Sequence, residues 1–132
     1  MQPRQVEVAI AVILHEGLIL ICQRRDDDPL GGLWEFPGGK QEPGETPEQC
    51  LSREIAEELG ITVRPTEPLA SIDWKYPAVA VRLRPYLCEL AGGEPAPLAC
   101  QQIAWVKPAA LLEYSFPPAN RQLIESLARR FG

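Results

Sequence analysis

Apolar positions along this chain recur in two rhythms. Val6 to Leu14 is rich in β-branched residues, His15-Glu16-Gly17 reads as a turn, and Leu18 to Arg24 is a second strand, so the pattern predicts a hairpin. Residues 25 to 33 carry three aspartates, Pro29 and Gly31-Gly32, and form a loop before the short segment Leu33-Trp34-Glu35-Phe36. Ala70 to Lys75 and Ala78 to Leu90 read as strands separated by Tyr76-Pro77. Pro85 cannot donate to a ladder, which predicts an edge position or a bulge for the second of them. Residues 91 to 102 form a loop rich in glycine and proline, and Ile103 to Val106 is a short strand. From Pro118 the period becomes helical, with Leu123, Ile124, Leu127 and Phe131 on one face. A mixed sheet flanked by helices follows, which is the α/β class.

The other helix is specified by its ends. Thr46 is a good N-cap, Pro47 suits the first helical position, and Gln49 completes a capping-box pattern. Gly60 supplies the stop, so the helix runs from about Pro47 to Leu59. At roughly 100° per residue, Leu51, Ile55 and Leu59 form an apolar stripe, and Glu54, Glu57 and Glu58 fall together beside it. Three like charges in one sector repel unless a cation sits among them. Carboxylates are hard ligands suited to Mg²⁺ or Mn²⁺, and with no His or Cys among them zinc is a poor candidate. In the preceding loop, Pro37-Gly38-Gly39-Lys40 lets the backbone turn sharply and approach an ion, so that a carbonyl of Gly38 or Gly39 can complete a metal shell. Glu45 and Arg53 flank the helix start, and their pairing holds loop against helix. It positions groups more than it stabilises, exposed ion pairs being worth only about 0–1 kcal/mol.

Composition changes this picture little. The chain has 132 residues, enough for one domain with a real core over residues 1–132. Its longest apolar run, Val8 to Leu14, is too short for a membrane span or a signal segment. The four cysteines, at 22, 50, 88 and 100, form no CxxC pattern, and reduced thiols in cytoplasm are the simpler account. A net charge of −5 argues against long nucleic acid but not against a nucleotide that arrives with its own metal. No segment demands a protein partner.

Gly39, Glu45, Arg53-Glu54-Ile55, Glu57-Glu58 and Gly60-Ile61 stand at the spacing of the complete Nudix box, and the chain resembles the Nudix hydrolases. The resemblance implies an α/β/α sandwich in which this loop-helix-loop binds Mg²⁺ and cleaves a nucleoside diphosphate linked to another group. Three further segments are similar to the MutT branch, which hydrolyses oxidised purine nucleoside triphosphates such as 8-oxo-dGTP and so prevents mutation. These are Gln23-Arg24-Arg25, Leu33 to Lys40, and Phe116-Pro117-Pro118-Ala119-Asn120. The resemblance implies hydrolysis to the nucleoside monophosphate and pyrophosphate by attack at the β-phosphorus, with Glu54 accepting a proton from water or orienting it.

Asn120 is the expected base reader. Its carboxamide offers one acceptor and one donor, matching N7–H and O6 of 8-oxoguanine, whereas guanine presents two acceptors there. The competing role is a cap on the helix that follows. Phe36 and Tyr76 are candidate pocket walls, and Arg24 is a candidate phosphate ligand. Arg25 is expected to face solvent, and Trp34, Trp74 and Trp105 are assigned to packing. His15, in the hairpin turn, receives no catalytic part. One departure stands out: MutT-like proteins carry a further glutamate six residues before a tryptophan, and that position here is Ala99. Glu35, Glu94 or another carboxylate takes its place, or the enzyme works without it. Two alternative functions remain: a pyrophosphohydrolase of CTP, dCTP or modified pyrimidine triphosphates, and a non-hydrolysing nucleotide-sensing module, against which the intact box glutamates speak.

Overall fold

The computed structural model describes residues 4–132. Strand β1 (Arg4–His15) runs through the middle of the molecule and is covered on both sides. Side chains alternate across a strand. Ala9, Ala11 and Ile13 therefore join Leu51, Ile55 and Leu59 of helix α1 (Pro47–Leu59), whereas Ile10 and Val12 join Leu123, Ile124 and Leu127 of helix α2 (Arg121–Phe131). This is the helix-sheet-helix sandwich expected of an α/β chain.

The predicted hairpin between β1 and β2 (Leu18–Gln23) exists only at its tip, where Leu14 pairs with Ile19 and His15 with Leu18. Beyond that the strands part. β1 pairs antiparallel with β4 (Gly38–Lys40), while β2 turns to β3 (Trp34–Glu35) and β8 (Gln102–Val106). The glycine segment read as a loop is thus a short strand, inserted beside β1. A Cβ on Gly38 would lie 2.1 Å from the Ala9 carbonyl oxygen, so only glycine fits there. The divergence of the two sheets is where the cavities described below open.

β1 also pairs in parallel with β7 (Val79–Gly92), from Arg4 opposite Val79 to Ile13 opposite Cys88. β7 is therefore interior, and the edge position that Pro85 suggested is not what forms. Its far side is shared by two strands, β5 (Thr62–Pro68) as far as Tyr86 and β6 (Ile72–Lys75) from Leu83. Pro85 falls in the gap between them, where its carbonyl accepts from the Leu69 amide at 2.8 Å. β5 escaped prediction because it holds two prolines and buries only Val63, which an edge strand with a register shift next to Pro65 tolerates. A 3₁₀ segment over Pro108–Glu113 was not anticipated either, and another, Pro118–Asn120, precedes α2.

Helix α1 has the limits its caps predict. Thr46 Oγ1 accepts from the Gln49 amide at 3.1 Å, and the Gln49 side chain accepts from the Thr46 amide at 2.9 Å. At the far end Gly60 takes the left-handed conformation, φ 70°. Substituting Thr46 by Ala should cost about 1 kcal/mol in urea unfolding, and by Ser much less, because serine keeps the accepting oxygen.

Candidate functional site

Strand β4 and the first turns of α1 are fastened by one guanidinium. Arg53 Nε donates to Glu45 Oε2 at 2.8 Å and Nη2 to Glu45 Oε1 at 3.0 Å, the two-pronged geometry that suits arginine. Its Nη1 donates to Glu54 Oε1 at 2.8 Å, and Nη2 also reaches the Lys40 carbonyl at 3.3 Å. The Glu45 side chain is only 13% exposed and also accepts from the Glu42 amide. Hydrogen bonding from Arg53, then that amide, lowers its carboxyl to about 2. The expected pairing of Glu45 with Arg53 is present, and it extends to Glu54.

The three helix carboxylates do not share one environment. Glu57 is 62% exposed, with Arg53 Nη1 3.8 Å away. Glu54 is 19% exposed and presses on Gly39, where an added Cβ would stand 2.4 Å from the Glu54 carboxyl carbon. Glu58 Oε2 is buried with no hydrogen-bond partner. Burial, then a hydrogen bond and negative charge from Glu54 and charge from Glu35, push the Glu58 carboxyl up to about 8, eased by a hydrogen bond from the Gly38 backbone. Among the described residues no three His, Cys, Asp or Glu side chains already converge as ligands around one point. The orphaned Glu58 oxygen beside Glu54 is nevertheless a place for a hard cation, and the donor set is all oxygen.

Glu58 faces a cavity of about 220 Å³ that also takes in Glu35, Asp28, Ala99, Cys22 and Cys100. Of the groups suggested to replace a loop carboxylate at Ala99, Glu35 is on this cavity and Glu94 is not; Asp28, not foreseen, is also there. Gln101 is occupied in holding its own loop, donating to the Arg24 carbonyl at 2.8 Å and Asp26 at 3.1 Å. A second cavity, of about 160 Å³, is lined by Phe36, Trp74, Tyr76 and Asn120. Arg24 and Glu35 line both, bonded to each other at 3.0 and 3.2 Å, and Arg24 Nε is spent on the Pro29 carbonyl at 3.0 Å. Arg24 is therefore held between the two cavities, not extended toward solvent. Burial raises Glu35, and Arg24 works against that shift.

Asn120 sits at the start of α2, yet its side chain makes no capping hydrogen bond. It is 8% exposed, the one buried polar residue among the described residues, and it lines the second cavity. Phe36, 3% exposed, backs that cavity against Phe116 with ring centres 5.2 Å apart, and Tyr76 stands at the mouth, 38% exposed. Trp74 overturns the packing assignment: it is 37% exposed and forms a cavity wall. Its two-residue offset from buried Ile72 put it on a core-facing side of β6, but the core ends before it. Leu30 was also missed; it lines the cavity from a positive-φ position, 63°, in the loop after β2. Trp34 and Trp105 do pack, against Tyr114 and His15.

Residues 8–126 match the NUDIX domain family, well over half of the chain. The chain belongs to the Nudix hydrolases. It is 38% identical to an 8-oxo-dGTP diphosphatase of Haemophilus influenzae over 96% of this chain and 94% of that protein. It is 35% identical to the CTP pyrophosphohydrolase of Escherichia coli, covering 93% of this chain and 91% of that one. A MutT Nudix hydrolase from Burkholderia pseudomallei superposes with a TM-score of 0.81 at 30% identity, over 95% of this chain and 98% of that one. Nudix hydrolases use a divalent metal, and the acidic, unpartnered pocket around Glu58 fits one.

Two opposed titrations make the carboxylate site testable without substrate. Glu58 titrates at about 8 when folded, against 4.5 for a free carboxyl. The folded chain thus holds an extra proton in that interval, and metal-free stability falls as pH rises through it. Glu35, also raised, adds to this limb. Glu45, lowered to about 2, gives stability that is present above the ordinary carboxyl value of 4.5 and is lost as pH falls toward 2. Urea unfolding in chelator at stepped pH should therefore show a maximum near pH ~4.5. Glu58→Gln should shrink only the alkaline limb.

Proposed function

We propose that this chain, acting as a single Nudix domain, hydrolyses oxidised purine nucleoside triphosphates, 8-oxo-dGTP above all, to the monophosphate and pyrophosphate, and so cleanses the cytoplasmic nucleotide pool. One observation carries the substrate choice: the carboxamide of Asn120 is buried, spared from capping, and faces a cavity that meets the carboxylate site at Arg24 and Glu35. A rigidly held amide can bond twice to the N7–H and O6 edge of the oxidised base, and a site built on required hydrogen bonds discriminates strongly. The names of the relatives support the same substrate.

In this reading Glu54, Glu57 and Glu58, with a carbonyl of Gly38 or Gly39, hold Mg²⁺, which Mn²⁺ can replace. When bound, the metal offsets triphosphate charge and lowers the pKa of the attacking water. Glu54 accepts a proton from that water or orients it. Arg53 and Glu45 keep Glu54 in place. Phe36, Tyr76 and Trp74 enclose the base, and Arg24 presents its remaining N–H groups to phosphate from a position set by Glu35.

A second reading, hydrolysis of CTP or dCTP, is favoured by the 35% identity to the CTP pyrophosphohydrolase. One panel separates the two: kcat/KM for 8-oxo-dGTP, dGTP, dCTP and CTP with Mg²⁺, with products identified. A preference for 8-oxo-dGTP over dGTP of at least about tenfold, or about 1.4 kcal/mol, is expected, and Asn120→Ala should erase most of it. CTP or dCTP leading the panel would transfer the assignment to the second reading. Glu54→Gln should lower kcat by about 10²-fold or more; full activity in that variant would remove Glu54 from the chemistry.

A further inference from the structure

The cavity at Glu58 also holds two thiols that hydrolysis does not use. Cys22, in β2, and Cys100, in the segment leading to β8, both line it beside Ala99. The strand register brings them there. Gln23 opposes Gln102, and the Gln101 amide donates to the Gln23 carbonyl at 3.0 Å, which returns Cys100 across the end of β2. The two side chains line the same cavity and pack into the same apolar cluster, and the Cys100 thiol donates to the Gln102 carbonyl at 3.3 Å. Both are free thiols. Cys22 is 4% exposed, whereas Cys100 is partly open to the cavity. Position 99 contributes only a methyl group, so neither a bulky nor a charged side chain from it separates the pair from the cavity. The other two cysteines are placed differently: Cys50 and Cys88 are buried, at 3.5 and 3.6 Å from backbone carbonyls.

We propose that Cys22 and Cys100 are an oxidisable pair that closes to an intramolecular disulfide at the rim of the carboxylate cavity when a peroxide enters it. The more accessible sulfur, that of Cys100, takes one oxygen atom as the O–O bond of hydrogen peroxide breaks, giving a sulfenic acid and water. The Cys22 sulfur then displaces the hydroxyl. An S–S bond forms, the S–O bond breaks, and the hydroxyl leaves with the Cys22 proton as a second water. The two thiols lose two electrons and the peroxide gains them. A small thiol reverses the linkage by exchange. Because the bond ties β2 to the loop facing Glu58, the oxidised chain hydrolyses substrate more slowly than the reduced one.

The test starts from the fully reduced chain treated with hydrogen peroxide, then alkylated, unfolded and mapped by mass spectrometry without reductant. Two of the four thiols should become unavailable, in a linkage joining the peptides that contain positions 22 and 100. Dithiothreitol should restore both, and with them the lost hydrolytic rate. Cys100→Ser should form no linkage under the same treatment. Conversion of Cys100 to sulfinic acid without a linkage, a disulfide between two chains, or a bond that engages Cys50 or Cys88 would each overturn the proposal. The thiol readout does not depend on which nucleotide is the substrate.

Discussion

Helix α1 lies so close to strand β4 that the Glu54 carboxyl carbon stands 2.4 Å from where a Cβ on Gly39 would be, while β4 itself touches β1 at Gly38, 2.1 Å from Cβ position to the Ala9 carbonyl oxygen. This double approach sets the distances on which the rest of the site depends. It brings two carboxylates of helix α1, Glu54 and Glu58, against backbone from the centre of the molecule, while Glu57 stays in solvent. It also separates β1 from β2 below their shared turn, and the space so created becomes the two cavities. Any side chain larger than hydrogen at these positions would push the helix off the sheet or the carboxylate out of place.

Bringing acidic groups together in this way has an electrostatic cost that the protein meets unevenly. Arg53 compensates Glu45 and Glu54 through short hydrogen bonds, and Glu57 remains in solvent. Glu58 receives no cationic partner of its own; it is pressed among Glu54, Glu35 and low-dielectric surroundings, and its carboxyl rises accordingly. An uncompensated acid beside a compensated one is how a chain holds binding energy in reserve for a cation. The adjoining cavity has the opposite character, walled by Phe36, Trp74 and Tyr76 with one amide, and Arg24 with Glu35 stands between the two. A ligand with a flat polar head and an anionic tail fits that sequence of surroundings.

Local interactions were the legible ones. Thr46, Pro47, Gln49 and Gly60 are decided within a few residues of one another, so helix α1 has the limits its sequence predicts. The pairing of Glu45 with Arg53 could be anticipated for the same reason. Readings that depended on neighbours distant in the chain fared differently. Pro85 lies in an interior strand because its far side changes partner there, which needs β5 and β6 in view. Trp74 follows the correct alternation but stands past the end of the core. Arg24 lies between the two cavities because it is held by Glu35, an acid eleven positions away whose own burial comes from the fold.

What the sequence by itself determined is the reaction family, the capped helix with its three glutamates, and the α/β class, because motif spacing, capping and hydrophobic period are short-range properties. Tertiary structure alone decided which glutamate is buried, that the Asn120 side chain does not cap its helix, that the glycine segment is a strand, and that Cys22 and Cys100 line one cavity. Each of these depends on long-range pairing, above all on β4 taking the place beside β1 while β2 turns to β8, a constraint no local window contains.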